Sequence, residues 1–407
     1  MNKVSFIGAG KLGLPLAGLL AQNNNILLVD KNTNLIADLK AKKLTFKEKG
    51  LNQLISDTYT NFLDFTQSYT DIFNTTDETI ILVNTQLGTE GYSDKLVIEV
   101  FDELSVHFKE STKKTHHFIL SSTVLPGTIK KLILRIEEQT KKVYNQDFLF
   151  SYIPDFVKLG SVIDDFENPE FFLVGTDSKA AFERCLNLWK NLHKNNPKIK
   201  NLNLEEAEVA KISLNAFIVN KISFANFLKL LTLNLDVDVN NITSTIGLDE
   251  RIGTKFFNAG TPYGGTCFPR DALAFEKFAK DQGHEAYNMK FSQNTNKQIL
   301  DLMYDQIKIH ERILFLGIAF KKDTDVLTGS PSMELIDELL LKSNATISYY
   351  DFLVENLDST KYSEIKTGEN LETLIESSDV VIIMHPDDRF KDYDYGNKAV
   401  VDPWGIL

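Results

Sequence analysis

The spacing of apolar residues predicts that strands and helices alternate along the first third of the chain. Short apolar runs predict strands, at residues 4–7, 26–30, 79–84, 118–121 and 148–152. Residues 11–22, between the first two runs, predict a helix. Strands that alternate with helices are typical of βαβ units, so we expect a parallel sheet covered by helices.

The pattern changes at residue 204 and changes back near residue 312. Residues 204–235 contain neither Pro nor Gly and are apolar on most positions, which predicts one long buried helix between domains or against a partner subunit. After residue 312 we predict three strands and a helix, at 312–320, 345–350, 380–384 and 331–341. The expected fold class is therefore α/β, with two Rossmann-like doubly wound domains joined by a long central helix and a helical middle domain. The expected domain boundaries are 1–200, 201–305 and 306–407.

Length, charge and cysteine content narrow the function classes. The chain has 407 residues, which exceeds one domain of about 150 residues. The formal net charge of −12 argues against nonspecific binding to nucleic acid or to an anionic membrane. No apolar run reaches the roughly 18 residues of a membrane span. Two cysteines favour a reduced, cytoplasmic setting.

A glycine turn after the first strand predicts a dinucleotide site. Gly8 permits the tight turn, Gly10 lets a pyrophosphate approach, and Gly13 allows close packing of helix on strand. Asp30 ends the second strand and can accept from both ribose hydroxyls, which favours NAD over NADP. The cofactor-binding residues expected here are Gly8, Gly10, Lys11, Leu12, Gly13 and Asp30. There are two alternatives: the segment is a glycine turn with a solvated aspartate, or the cofactor is FAD.

A cysteine segment predicts a nucleophile. Cys267 precedes Pro269, which suits the first turn of a helix, and lies next to Arg270. A helix N-terminus and a neighbouring cation both favour the thiolate, so we expect Cys267 to be reactive. The glycines before it, at 264–265, are expected to let a ligand approach closely. The alternative is a small buried core residue, which is our interpretation of Cys185.

Polar residues on the long helix predict one stripe that faces a ligand. Lys211 and Asn215 are one turn apart, and Asn226 returns to within about 60° of Lys211 at 100° per residue. A lysine and two asparagines on an apolar helix are costly unless they are paired. An exposed helix edge is the alternative.

These segments resemble the motifs of the UDP-glucose 6-dehydrogenase family, within the wider UDP-glucose/GDP-mannose dehydrogenases. Besides the glycine turn, the similar segments are S-T-V-L-P-G-T at 122–128, A-E-V-A-K at 207–211 with Asn215, G-G-T-C-F-P-R-D at 264–271, and 317–331. They occur in the family's order and cover nearly the whole chain.

The resemblance implies a double oxidation. A sugar CH₂OH becomes an aldehyde and then, through a thioester on Cys267, a carboxylate, with NAD as the cofactor. Lys211 and Asn215 would stabilise the oxyanion, and Asp271 with Thr123 would hold the hydrolytic water. Thr85 and Thr123 would contact NAD. The remaining substrate-binding residues implied are Phe156, Lys158, Arg251, Asn258, Tyr263, Gly264 and Lys321.

The chain departs from the family pattern in places that bear on the substrate. Asp155 stands where the family has glutamate, and we expect it to take over any general-base role, because Leu159 replaces a second acid. Thr328 replaces a cation of the third-domain motif. We expect UDP-glucose as the substrate and a homodimer as the assembly. The alternatives are a UDP-N-acetylhexosamine or GDP-mannose as the substrate, or a catalytically weakened nucleotide-sugar-binding protein.

Overall fold

The computed structural model describes residues 1–85, 87–88, 91–113, 115–368 and 370–407. Gln86, the residue after Thr85, lies outside these residues. The chain divides into two compact units, Met1–Ile212 and Ser213–Leu407. The three-domain division at 200 and 305 stays a prediction.

The first unit contains an eight-stranded sheet and a short antiparallel hairpin. Its strands are β1 Lys3–Ile7, β2 Asn25–Val29, β3 Phe62–Thr66, β4 Glu78–Ile81, β5 Leu87–Gly88, β6 Gly91–Tyr92, β7 His116–Leu120, β8 Phe148–Tyr152, β9 Phe171–Gly175 and β10 Lys198–Leu202. The order in the large sheet is β10-β9-β8-β7-β4-β1-β2-β3, and only the β8–β9 pair is antiparallel. The strand order reverses between β4 and β1, and ligands of doubly wound sheets bind at such a point, outside the carboxyl ends of the strands.

Helices cover the faces of this sheet. They are α1 Gly13–Ala21, α2 Thr33–Lys40, α3 Leu51–Thr58, α4 Thr70–Thr75, α5 Lys95–Glu110, α6 Thr128–Thr140, α7 Val162–Glu167 and α8 Lys179–Trp189. A 3₁₀ turn covers Tyr59–Asn61. All nine residues of α1 are buried, because the helix follows β1 directly and packs on the sheet. Two apolar cores, one containing α1 and the other containing α5 and α6, hold the sheet between them.

The second unit contains a five-stranded parallel sheet and a group of helices. The strands are β11 Arg312–Leu316, β12 Thr346–Tyr350, β13 Lys366–Thr367, β14 Val380–Ile383 and β15 Ala399–Val401, in the order β13-β12-β11-β14-β15. The helices are α10 Val239–Gly247, α11 Phe268–Asp281, α12 Tyr287–Ile307, α13 Pro331–Lys342 and α14 Leu371–Ser377, with a 3₁₀ turn at Asp388–Asp392. The long helix α9, Leu204–Thr232, begins in the first unit and ends in the second.

The observed architecture confirms the predicted fold class. A sheet that is parallel except for the β8–β9 pair and a fully parallel second sheet carry the predicted strands, and α9 forms the predicted long helix. Within the described ranges, no helix is long and apolar enough to cross a membrane. In the same ranges, no group of three or more His, Cys, Asp or Glu side chains is placed to hold a metal ion.

Candidate active site

The glycine turn after β1 has the geometry that the sequence predicts. Gly8 has φ of +106°, and a Cβ there would lie 2.1 Å from the Leu82 carbonyl oxygen. A Cβ on Gly13 would lie 2.1 Å from the Gly8 carbonyl oxygen. A Cβ on Gly10 would meet no atom within 4 Å. Gly8 and Gly13 are therefore required by the fold, whereas Gly10 keeps the backbone open to a ligand, as a pyrophosphate site needs.

Asp30 lies directly after β2 and braces this turn. Its Oδ2 accepts from the Ala9 N–H and its Oδ1 from the Asn32 N–H, both at 2.8 Å. The carboxylate is half-buried, so part of it faces solvent at the edge where a ribose would lie. Lys11 is exposed and Leu12 half-buried at the start of α1. The turn and Asp30 together fit NAD at the carboxyl ends of β1 and β2.

Two neighbouring loops at this edge are joined by one hydroxyl. Ser122 Oγ donates to the Val83 carbonyl and accepts from the Val83 N–H, both at 2.8 Å. Thr85 follows the first loop and Thr123 the second, and both side chains are buried. The strands β4 and β7 therefore present both threonines at the same edge as the glycine turn, beside the point where the strand order reverses.

Lys211 is held against the loop that follows β8. Its side chain is buried, and the ammonium donates to the Asp155 carbonyl oxygen. It also lies 4.0 Å from Asp155 Oδ1 and 4.6 Å from the centre of the Phe156 ring. The structure thus brings together three of the predicted residues. Lys158 is exposed instead, with its ammonium 3.4 Å from Asp165 Oδ1.

Cys267 lies at the start of α11, as predicted. It is the residue before the helix, and Pro269 occupies the first turn. The thiol is exposed, with the Thr266 hydroxyl 3.6 Å and the Arg270 Nη2 4.0 Å from Sγ. An exposed thiol beside a guanidinium and a helix N-terminus is suited to nucleophilic attack. Cys185 is fully buried, and burial raises the pKa of its thiol to about 12, which agrees with a core residue.

Asp271 lies one turn further into α11 and is almost fully buried. Burial raises the pKa of Asp271 well above its usual value. The Asn215 amide donates to Asp271 Oδ2, and the Arg270 Nε lies 3.6 Å from Oδ1. In its ionised form, a carboxylate whose pKa is raised binds a proton more strongly than an ordinary aspartate does.

The glycine pair before Cys267 corrects one expectation. We expected these residues to admit a ligand, but a Cβ on Gly264 would lie 2.3 Å from the Gly329 carbonyl oxygen. A Cβ on Gly265, whose φ is +82°, would lie 2.5 Å from the Phe320 ring. The close approach is therefore made by the protein itself, and both positions admit only glycine for that reason.

Asn226 also departs from the predicted ligand-facing stripe. It is buried, with its Oδ1 accepting from the Gly260 N–H at 2.8 Å and its Nδ2 donating to the Thr261 carbonyl at 3.2 Å. Its amide therefore holds the loop before Cys267. Asn296, which the sequence analysis missed, does the same for Tyr263 through both backbone groups. A lone asparagine in α12 carries no sequence signal for this role.

The remaining substrate candidates lie on exposed or half-buried loops of the second unit. Arg251 is exposed and paired with Asp249, and Asn258 is exposed. Lys321 lines a small cleft at the carboxyl ends of β11, β12 and β14 with Asp351, His385 and Arg389. Asp351 accepts from the N–H groups of Ile318 and Ala319, at 2.8 and 3.2 Å. Asp351 thus holds the turn after β11 through its backbone N–H groups, in the same way as Asp30 holds the glycine turn after β1.

Glu208 is a second residue that sequence analysis did not single out. It is 1% exposed, and its carboxylate accepts from the N–H groups of Gly127 and Ile129, both at 2.8 Å. Burial raises the pKa of Glu208 to about 7, against the effect of these two hydrogen bonds. The sequence signal available for Glu208 was an acid on the buried side of a helix. The backbone groups that it binds, however, lie about eighty positions earlier in the chain.

A dinucleotide turn with a ribose-binding acid, and a cysteine at a helix N-terminus beside a buried acid, define an NAD-dependent dehydrogenase that carries a nucleophilic thiol. Three family models match the chain: the NAD binding domain of the UDP-glucose/GDP-mannose dehydrogenase family over residues 2–193, its central domain over 205–298, and its UDP binding domain over 314–407. The chain therefore belongs to the UDP-glucose/GDP-mannose dehydrogenase family.

Individual relatives resemble the chain over nearly its whole length. UDP-glucose 6-dehydrogenase AglM of Haloferax volcanii is 28% identical, over 96% of this chain and 93% of its own. UDP-glucose 6-dehydrogenase of Pseudomonas aeruginosa is 27% identical, over 97% and 89%. The solved structure of a UDP-glucose dehydrogenase from the archaeon Pyrobaculum islandicum is 28% identical, covers 100% of this chain and 95% of its own, and superposes with a TM-score of 0.90.

Proposed function

We propose that the chain oxidises the C6 hydroxymethyl group of UDP-glucose to a carboxylate. One alcohol, two NAD⁺ and one water give one carboxylate, two NADH and three protons. The observation that carries the proposal is the group formed by Cys267, Asp271 and Asn215, because a plain alcohol dehydrogenase needs no thiol beside a buried acid. NAD, when bound, accepts one hydride in each oxidation.

The first oxidation needs a base for the hydroxyl proton and a donor for the developing oxyanion. Asp155 is our candidate for the base, since its carboxylate lies 4.0 Å from the Lys211 ammonium. Lys211 is our candidate for the donor, because an ammonium stabilises an oxyanion strongly in a site that excludes water. The Phe156 ring lies against the same ammonium and helps to exclude water from it. Thr85 and Thr123, with the glycine turn, would hold NAD at this edge.

The second oxidation uses the thiol. Cys267 Sγ adds to the aldehyde carbon and forms a thiohemiacetal, whose oxygen takes up the thiol proton. Loss of that proton and of a hydride from the same carbon leaves a thioester. Asp271, helped by Asn215, then takes a proton from a water that attacks the thioester carbon. The carbon–sulfur bond breaks, the thiol regains a proton, and the sugar acid leaves.

The substrate assignment rests on the relatives and on the second unit. The UDP binding domain model covers 314–407, where Lys321 lies, and the relatives reported above carry UDP-glucose in their names. Arg251, Asn258, Tyr263 and Lys158 are further candidates for contacts to the nucleotide sugar. GDP-mannose and a UDP-N-acetylhexosamine are the alternative substrates, because Leu159 and Thr328 depart from the family pattern. We also propose three functional parts, 1–200 for NAD, 201–305 for the thiol, and 306–407 for UDP.

The working form proposed is a cytoplasmic homodimer. Large apolar side chains are exposed along α9, α10 and the segments that follow them, among them Phe217 at 64%, Leu231 at 60%, Leu235 at 60% and Leu248 at 79%. Exposed apolar surface of this extent favours burial against another subunit. Both cysteines are unpaired, which fits a reducing compartment. Light scattering coupled to gel filtration measures the mass, and a monomer at assay concentration would overturn the dimer.

The test is turnover of purified protein with a panel of nucleotide sugars, followed by NADH absorbance and by mass spectrometry of the product. We expect UDP-glucose to give two NADH per sugar acid without free aldehyde. GDP-mannose and UDP-N-acetylglucosamine serve as competitors, and Cys267→Ala as the control variant. A higher kcat/KM for either competitor would assign that competitor as the substrate in place of UDP-glucose. One NADH per turnover, or binding without NAD reduction, would overturn the reaction.

A further inference from the structure

Helix α6 lacks a cap from its own segment and receives one from α9. Gly127 precedes α6 with φ of +87° and carries no side chain. The backbone N–H groups at a helix start need acceptors, which are usually a serine, threonine or aspartate side chain just before the helix. Here the Glu208 carboxylate accepts from Gly127 and Ile129 instead. The loop that carries Thr123 is therefore fastened to α9.

The same turn of α9 holds a second loop. Lys211 is three residues after Glu208, so the two side chains leave neighbouring positions on the helix. Glu208 binds the start of α6, and Lys211 binds the Asp155 carbonyl oxygen and faces Phe156. Ser122 extends the connection to Val83 through its two hydrogen bonds. One helical turn thus anchors the loops that follow β4, β7 and β8.

We propose that Glu208 is a positioning residue, which fixes the Thr123 loop relative to Lys211 so that both meet the reacting alcohol in one geometry. This inference rests on the proposed function, because it assigns Glu208 a role through Lys211 and Thr123. Misplacing a reacting group by about 1 Å costs up to about 10²-fold in rate, so loosening either loop lowers kcat.

Glu208 is surrounded by other acidic groups, and its protonation bears on this role. Asp94, from the start of α5, accepts from the Thr128 hydroxyl at 2.5 Å. Asp94 and Glu205 both disfavour the charge of Glu208. The Tyr152 phenol of β8 lies nearby, and burial, followed by Glu208, raises its pKa. Protonated Glu208 has a hydroxyl in place of one acceptor, so it can no longer cap both N–H groups. Since burial raises the pKa of Glu208 to about 7, we expect this loss as the pH falls below neutrality.

The test compares Glu208→Gln with Glu205→Gln, an exposed glutamate in the same turn of α9. The amide introduced by Glu208→Gln offers one acceptor and one donor group, and thus imitates the protonated acid permanently. We expect kcat for UDP-glucose to fall about 10- to 100-fold in Glu208→Gln, with KM unchanged and Glu205→Gln like the wild type. The wild-type kcat should approach that of Glu208→Gln at low pH. Glu208→Asp keeps both acceptors and should recover part of the rate.

Two further readouts separate this proposal from the proposed function. Amide hydrogen exchange of the peptide over 122–129 should rise in Glu208→Gln and stay unchanged in Glu205→Gln. In a Lys211→Met background, Glu208→Gln should lower kcat by a smaller factor than in the wild type, because the effects of substitutions at coupled residues are not additive. Faster exchange with an unchanged kcat, or unchanged exchange, would overturn the positioning role. An unchanged kcat in Lys211→Met would overturn the proposed function of Lys211 instead.

Discussion

Replacing Lys211 by methionine removes one buried ammonium and keeps most of the side-chain volume. The lysine donates to the Asp155 carbonyl oxygen and lies 4.6 Å from the centre of the Phe156 ring. If Lys211 is an oxyanion donor, the variant loses an interaction that is strongest in the transition state. We expect kcat to fall and KM for UDP-glucose to stay close to the wild-type value.

The structure sets the sizes of the two competing effects. Loss of one oxyanion donor costs about 10²–10³ in kcat, or about 2.7–4 kcal/mol. On stability, the unpaired Asp155 carbonyl costs about 1–3 kcal/mol and the lost contact with Phe156 about 0.5–2 kcal/mol. Removal of the ammonium ends the desolvation cost of one buried charge, but it also leaves the Asp155 carboxylate, 4.0 Å away, without this partner. Because unfolding lowers the measured kcat only by reducing the folded fraction, the free energy of unfolding has to be measured beside kcat to separate the two effects.

The assay measures kcat and KM for UDP-glucose, together with the free energy of unfolding in urea. Lys229→Met is the matched control, because Lys229 lies on the same helix and its ammonium donates to one backbone carbonyl, that of Pro403, at 2.7 Å. We expect Lys229→Met to keep its kcat. A normal kcat with a raised KM in Lys211→Met would assign Lys211 to binding, and equal losses of kcat in both variants would point to a general effect on the fold.

Three further predictions follow from other groups. Asp30→Ala should lower kcat/KM for NAD and bring the ratio of kcat/KM for NAD to that for NADP closer to one. Equal kcat/KM for both cofactors in the wild type would contradict the role of Asp30. Cys267→Ser should lose turnover or retain a sugar ester at position 267 that mass spectrometry detects, whereas near-normal carboxylate formation by Cys267→Ala would exclude a covalent role. Burial lowers the pKa of His116 and His117, so below pH 6.5 the unfolded chain binds protons that the folded chain does not. The two histidines should therefore lower the free energy of unfolding as the pH drops from about 7 to about 5, while Glu208 and Asp271, whose pKa values burial raises, act in the opposite direction. The histidine effect is the difference between the wild-type pH profile and that of His117→Gln, and identical profiles would refute it.

The predicted elements are those whose residues are buried on every side. β1, β2, β4, β7 and β8 form the middle of the first sheet, so each appears in the sequence as an apolar run. The strands missed include β10, which reads Lys-Ile-Lys-Asn-Leu and is exposed along most of its length at the edge of the sheet. An edge strand buries too little to need an apolar pattern.

The site was predictable where one short segment sets the geometry. The turn at 8–13 and the start of α11 depend on glycines, a proline and a cysteine within a few positions. Partners far apart in sequence were not predictable in this way, because hydrogen bonds such as that from Gly127 to Glu208 depend on how separate elements pack. The purpose of Gly264 was mistaken for the same reason, since its neighbour is Gly329 of a later loop.

The polar residues of α9 can be separated by how much of their hydrogen-bonding capacity the fold takes up. Asn226 uses its carbonyl oxygen and its amide nitrogen on one loop, and Glu208 uses both oxygens on another. These two act as anchors with little left to offer a substrate. An ammonium has three donors, so Lys211 can hold the Asp155 carbonyl and still meet an oxyanion. Asn215 likewise has a second N–H besides the one it gives to Asp271, and it is half-buried, whereas the second N–H of Asn226 belongs to a side chain that is 1% exposed. In a long buried helix, residues that keep an accessible donor are therefore the better candidates for chemistry, and fully buried residues bonded to one loop are the better candidates for holding the site in place.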